Sequence, residues 1–129
     1  VNVALRGKVD TPIDYISGAG NSSKTLDALE AKGTKKALPD QSPKIPVSSI
    51  KSMVGEAIAF GGIRMVANVL SMEYGFIRPT INYLIPDPTC DLRYVANQRL
   101  DQEIRTVLHL GISPEDCFSS ILLGVEWSQ

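Results

Sequence analysis

The stretch from Lys51 to Gly75 limits what this chain can become more than any other. It holds the longest helical pattern in the sequence, with Ile58, Met65, Val69 and Leu70 recurring on one face. Yet Ala57, Ala59, Gly61 and Gly62 crowd small residues into its first half. A glycine inside a helix costs roughly 1 kcal/mol relative to alanine, so two together need an offsetting gain. Close approach of another backbone supplies one. The pattern therefore predicts a central, buried helix packed tightly against a neighbour.

Shorter elements surround it. Ile13 to Ser17 is a β-prone run that stops at the turn-rich Gly18-Ala19-Gly20-Asn21-Ser22-Ser23. A helix is expected from Asp27 to Leu38, with Asp27 and Glu30 spaced as a capping box. Pro39 and Pro43 bracket a loop, and Ile45 to Ser49 reads as a second strand whose Pro46 lies near its start, where a ladder tolerates it. Ile77 to Tyr83 is expected to be extended, followed by the loop Pro86-Asp87-Pro88. Arg105 to Gly111 and Cys117 to Glu126 are apolar, β-rich runs. The turn chemistry of Ser113-Pro114-Glu115-Asp116 between them predicts an antiparallel pair. The expected order is β-α-β-α-β-β, an α/β chain.

Charge and composition remove several classes of function. Among 129 residues the net charge is −1, so neither nucleic acid nor an anionic membrane surface is favoured as a partner. Lys32, Lys35 and Lys36 read as a solvated helix face. Apolar runs fall short of the ~18 residues a membrane span requires. Cys90 and Cys117 are far apart and outside any Cys-x-x-Cys pair, which speaks against metal and redox cycling and for free, buried thiols in a reducing cytoplasm. The opening Val1-Asn2-Val3-Ala4-Leu5-Arg6 has no signal-peptide layout and no initiator methionine, so the chain is expected to start in mid-protein. His109, the single histidine, lies in an apolar strand and is expected to be structural. Gly18 to Ser23 lacks the lysine and hydroxyl placement of a phosphate-binding loop.

Several motifs then become recognisable. Pro46-Val47-Ser48-Ser49-Ile50-Lys51-Ser52-Met53-Val54-Gly55 resembles the PVSSTKSMTGH motif of the β-ketoacyl synthases. Glu73-Tyr74-Gly75-Phe76-Ile77-Arg78-Pro79-Thr80-Ile81-Asn82 is similar to that family's x-x-G-x-I-P-P-T-I-N. Pro86-Asp87-Pro88-Thr89-Cys90-Asp91-Leu92, followed by Tyr94-Val95, resembles NPDPxCDLDYVPN. Asp14-Tyr15-Ile16 opens what in the family is DYINAHGTST, and Asp27 with Glu30 matches NDxxE. The resemblance runs from about Ile13 to Leu123. It implies a thiolase-like αβαβα sandwich built from two similar halves, of which residues 1–129 are the C-terminal half and the N-terminal half is absent from the chain.

The resemblance also implies a chemistry. A ketosynthase stabilises a thioester enolate with two histidines, and preorganised donors of that kind each contribute several kcal/mol. The first belongs to A-H-G-T, where this chain has Gly18-Ala19-Gly20-Asn21 and hence Ala19. The second belongs to T-G-H, where Val54-Gly55-Glu56 places Glu56, an acceptor that repels growing negative charge. The family's active-site lysine is kept as Lys51. Its usual acidic partner, fourteen positions on, aligns with Met65, which leaves Glu56 as a candidate partner for Lys51. Nor does any register of Gly111-Ile112-Ser113-Pro114-Glu115-Asp116-Cys117-Phe118-Ser119 restore the glycines of the family's FGFGGxNA loop.

By resemblance, then, the chain is expected to be a subunit with no catalytic residues of its own, no cofactor and no metal, similar to the chain-length factors of type II polyketide and aryl-polyene assembly. Its expected partners are an active ketosynthase subunit in a heterodimer, the N-terminal half of the same fold, and an acyl carrier protein. Two alternatives stay open. One is a degenerate condensing enzyme with residual malonyl decarboxylase or acyltransferase activity supported by Lys51; the other is a repurposed scaffold protein.

Overall fold

A computed structural model describes residues 11–57, 60–112 and 117–125. Strand β1, Tyr15–Ser17, is the centre of the fold. It pairs in parallel with β2, Pro46–Ser48, on one side and with β6, Thr106–Ile112, on the other. β4, Arg93–Tyr94, adds in parallel beyond β2, and β7, Phe118–Gly124, adds antiparallel beyond β6. The sheet order is β4-β2-β1-β6-β7. A second, two-stranded sheet joins β3, Phe76–Ile77, to β5, Leu100–Asp101.

Alternation along the strands sorts the core into two layers. On one face Ile16, Val47, Leu108 and Leu110 pack with Leu38, the cap of α1, Lys24–Ala37. On the other, Tyr15 and Val107 pack with Met72 of α3, Phe60–Tyr74, and with Ile77, Val95 and Ile104. The central strand is thus covered by a helix on each side, which is why Tyr15 and Ile16 are fully buried. A short helix, α2, Lys51–Val54, precedes α3.

The expected strands at Ile13–Ser17 and Ile45–Ser49 are present in shortened form, and the two C-terminal runs do form an antiparallel pair. The expected turn at Ser113–Asp116 lies outside the described residues, as do Ile58, Ala59, Glu126 and the opening segment Val1–Arg6. Other expectations are corrected. The first helix starts three residues earlier than Asp27, because Ser23 is the N-cap and its Oγ accepts from the Leu26 amide at 3.4 Å. Asp27 and Glu30 are therefore inside the helix, free to reach back to the preceding loop. The segment 77–83 does not stay extended: β3 ends at Ile77, and Asn82 turns the chain with a φ of 59°. Cys117 is exposed and Cys90 half-buried, so the thiols are free but not core residues.

The largest correction concerns the helix at 51–75. It breaks at Gly55, whose φ of 83° is left-handed and which ends α2. The later piece, α3, presents the expected apolar face away from the rest of the described residues. Its inward side carries Arg64, Ala67, Asn68, Ser71 and Met72, while Ile63, Val66, Val69, Leu70 and Tyr74 face outward, between 41% and 66% exposed. Nothing lies within 4 Å of a Cβ built at Gly61 or Gly62 among the described residues, so the neighbour those glycines imply is not in this layer of the fold.

The two-layer core makes a direct prediction. Leu108, fully buried in the middle of β6, should cost about 3 kcal/mol when changed to alanine, read as a drop in the denaturant midpoint at constant slope.

Candidate functional site

Parallel strands leave a crevice at their carboxyl ends, where the loops that follow them diverge. Here the loop after β1 (Gly18–Ser23), the turn after β2 (Ser49–Ile50) with α2, and the segment Thr80–Tyr94 enclose a cavity of about 510 Å³. Cross-links hold these pieces together. The Ser49 amide donates to Thr80 Oγ1 at 3.0 Å, the Ile81 amide donates to Ser52 Oγ at 2.9 Å, and Ser49 Oγ donates to the carbonyls of Ala19 and Gly20 at 3.3 and 3.2 Å.

The β1–α1 loop is held by the two acids that the sequence offered as a capping box and as the match to NDxxE. Glu30 Oε2 accepts from the Ala19 amide at 2.6 Å, and Asp27 Oδ1 accepts from the Asn21 amide at 3.1 Å. The fit is close enough that a Cβ at position 18 would meet Glu30 Oε1 at 2.7 Å, so a side chain there would make the carboxylate shift. Burial pushes the Glu30 carboxyl up to about 7, against the Ala19 hydrogen bond and the nearby Arg64, which both hold it down. Asp27 is raised in the same way by its partial burial.

Lys51 and Glu56 meet in the cavity. Lys51 Nζ lies 2.5 Å from Glu56 Oε2, with the lysine side chain 8% exposed and the glutamate 51%. The pairing follows from the short α2 and the left-handed Gly55, which fold residue 56 back towards residue 51. Ala19 is 3% exposed: its methyl group is buried, and the residue is outside the cavity lining. Met65 is half-buried on α3, also outside the lining. Of the four positions singled out from the motifs, the structure brings two together, Lys51 and Glu56.

Three buried polar residues of α3, Arg64, Asn68 and Ser71, were missed, and the first two have partners across the fold. Arg64, 4% exposed, donates from Nη2 to the carbonyls of Ser17, Gly18 and Leu110 at 2.9, 2.6 and 2.7 Å. Burial lowers its pKa from the usual guanidinium range, opposed first by Glu30. Asn68 Nδ2 lies 3.1 Å from His109 Nδ1. Burial, with Arg64 and Lys51 nearby, brings the His109 pKa down to about 4, so the ring is neutral at physiological pH. The sequence signal for Arg64 was a single cation inside an otherwise apolar helical run.

Among the described residues no group of three His, Cys, Asp or Glu side chains is placed to hold a metal, and no helix is long and apolar enough to cross a membrane.

Residues 4–84 match the profile of the beta-ketoacyl synthase C-terminal domain. The chain belongs to the β-ketoacyl synthase family. It is 41% identical over 100 residues to the tetracenomycin polyketide synthase ketoacyl synthase alpha subunit of Streptomyces glaucescens, covering 77% of this chain and 24% of that protein. Among solved structures it resembles AntDE:AntF, a type II polyketide synthase acyl-carrier protein in complex with its ketosynthase, with a TM-score of 0.86 and 37% identity over 89% of this chain and 28% of that one. It also resembles the ishigamide ketosynthase/chain length factor, with a TM-score of 0.84 and 29% identity over 90% of this chain and 28% of that one. The fold is the thiolase-like ketosynthase fold, of which this chain is a C-terminal part. It spans about a quarter of the length of the curated relatives it matches.

The two shifted groups pull pH dependence in opposite directions. Glu30 is raised from 4.5 to about 7, so the fold favours its neutral form and stability falls as pH rises across that interval. His109 is lowered from 6.5 to about 4, so the fold favours its neutral ring and stability falls as pH drops across that interval. Each effect is on the order of 3 kcal/mol, and between pH 4.5 and 6.5 they nearly cancel. Urea unfolding at a series of pH values should therefore show stability rising with pH in Glu30→Gln and falling with pH in His109→Gln, with the unsubstituted protein flatter than either. For the ion pair, Glu56→Gln should lower stability by about 1 kcal/mol, since it leaves Lys51 largely buried while Glu56 itself was half in solvent.

Proposed function

We propose that the protein is a non-catalytic ketosynthase-like subunit, a chain-length factor, which pairs with an active β-ketoacyl synthase and bounds the tunnel in which a carrier-protein-bound acyl or polyketide chain grows. The single observation that carries this reading is the Lys51–Glu56 ion pair. Where the family's motif places a hydrogen-bond donor for the enolate oxygen, this cavity holds a carboxylate already engaged with the one retained active-site lysine. Ionised Glu56 offers only acceptors. Ala19, at the other histidine position, offers a buried methyl group. A developing oxyanion finds repulsion at one position and no donor at the other, whereas bounding a cavity needs no titrating group.

The partners follow from the same reading. The protein would associate with a competent ketosynthase and, through it, with an acyl carrier protein. The outward apolar side of α3 would be covered by the N-terminal half of the same fold. Membership of the ketosynthase family supports this assignment without distinguishing it from an active subunit.

One observation favours a second reading. A relative 41% identical to this chain is named a ketoacyl synthase alpha subunit, which fits a condensing enzyme with a reduced site. Lys51 would then assist decarboxylation or acyl transfer.

The two part company in one assay. The full-length protein, purified alone, should fail to decarboxylate malonyl-carrier protein and should co-purify with an active ketosynthase when the two are expressed together. Turnover that Lys51→Ala abolishes, or a stable homodimer indifferent to any ketosynthase, would overturn the chain-length-factor assignment.

A further inference from the structure

We infer that Arg64 is a positioning residue that clamps the cavity loop after β1 to strand β6, so that one wall of the cavity is set from α3. Its guanidinium reaches through the carboxyl-end edge of the sheet to three backbone targets. Ser17 ends β1, Gly18 opens the cavity loop, and Leu110 lies within β6, where it pairs with Ser120 of β7. Nη2 carries two N–H groups for these three carbonyls, so one is shared. Without Arg64 those carbonyls would be left buried and partly unsatisfied, at a cost that loosening of the cavity loop and of the end of β6 would relieve.

The opposite side of the same loop is held by Glu30. Between Ser17 and Ala19, two carbonyls point to a buried cation and the next amide points to a buried carboxylate. The groups facing Glu30 are Arg64 from α3, Asp27 from its own helix, Lys51 from α2 and the Ala19 amide. Removing Arg64 takes away a charge that favours the ionised carboxylate. The loop's response to pH therefore reports on the cation and not merely on packing. The clamp rests on geometry; its consequence for the length of a bound chain rests on the function proposed above.

Hydrogen–deuterium exchange on the full-length protein tests it, read in peptides covering residues 17–23 and 109–112 across a pH series. Arg64→Met should lower protection at least tenfold in both peptides while residues 31–37 of α1 hold their protection. The pH midpoint of the change at Ala19 should move upward, and Arg64→Lys, which keeps a charge and three donors, should restore part of both effects. Unchanged protection in either peptide, or a loss with no movement of the midpoint, overturns the clamp. If Arg64→Met does not fold, Arg64→Lys and Arg64→Gln are compared by the same criteria. Product lengths made by the complex with an active ketosynthase are read separately. Unchanged lengths alongside lost protection leave the clamp standing and overturn the tunnel assignment.

Discussion

Three consecutive residues, Ser17 to Ala19, are held between a buried guanidinium and a buried carboxylate, and the site takes its shape from that arrangement. Burying the guanidinium alone would cost several kcal/mol, which its hydrogen bonds to backbone carbonyls offset, while the Ala19 amide gives the buried Glu30 carboxyl a donor. The arrangement is possible only because β1 is central. Parallel neighbours fix its position on both edges, and a helix on each face delivers one charge from either side: Glu30 from α1 and Arg64 from α3. The glycine at position 18 belongs to the same constraint, since a side chain there would displace the carboxylate.

Much of this plan was legible in the sequence where a period could be read. The apolar, β-rich runs at the C-terminus, with turn chemistry between them, gave a true antiparallel pair, and the β-prone run at Ile13–Ser17 gave the central strand. β3, β4 and β5 have two residues each, too few for any period to register, and tertiary pairing creates them. The first helix was misplaced at its start because two acids three apart imitate a capping box. Asp27 and Glu30 instead bind the loop upstream, and Ser23 is the true cap. The partner of the apolar face of α3 was not legible for a plainer reason: an apolar stripe reports that a helix meets something apolar, without saying that the something lies within the described residues.

The site divides in the same way. Lys51 with Glu56 could be anticipated because the two are five residues apart and opposite in charge, with a glycine between them that permits the turn. Arg64 could not, because its partners are carbonyl groups some 46 and 47 residues away, and backbone carbonyls leave no mark in the sequence. Ala19 was legible only as a missing donor. Its role in the structure is carried by its amide, a group every residue but proline possesses, so the hydrogen bond to Glu30 does not depend on which side chain stands at position 19.

The outward stripe of Ile63, Val66, Val69 and Leu70 inverts a familiar rule of protein handling. On an ordinary surface helix, replacing such residues with glutamate or lysine improves solubility and leaves assembly untouched. Along α3 the same replacements would make this chain easier to keep in solution while damaging whatever the intact molecule lays over it. If another half covers α3 as proposed, a version of the chain selected for good behaviour in isolation would be selected against that docking.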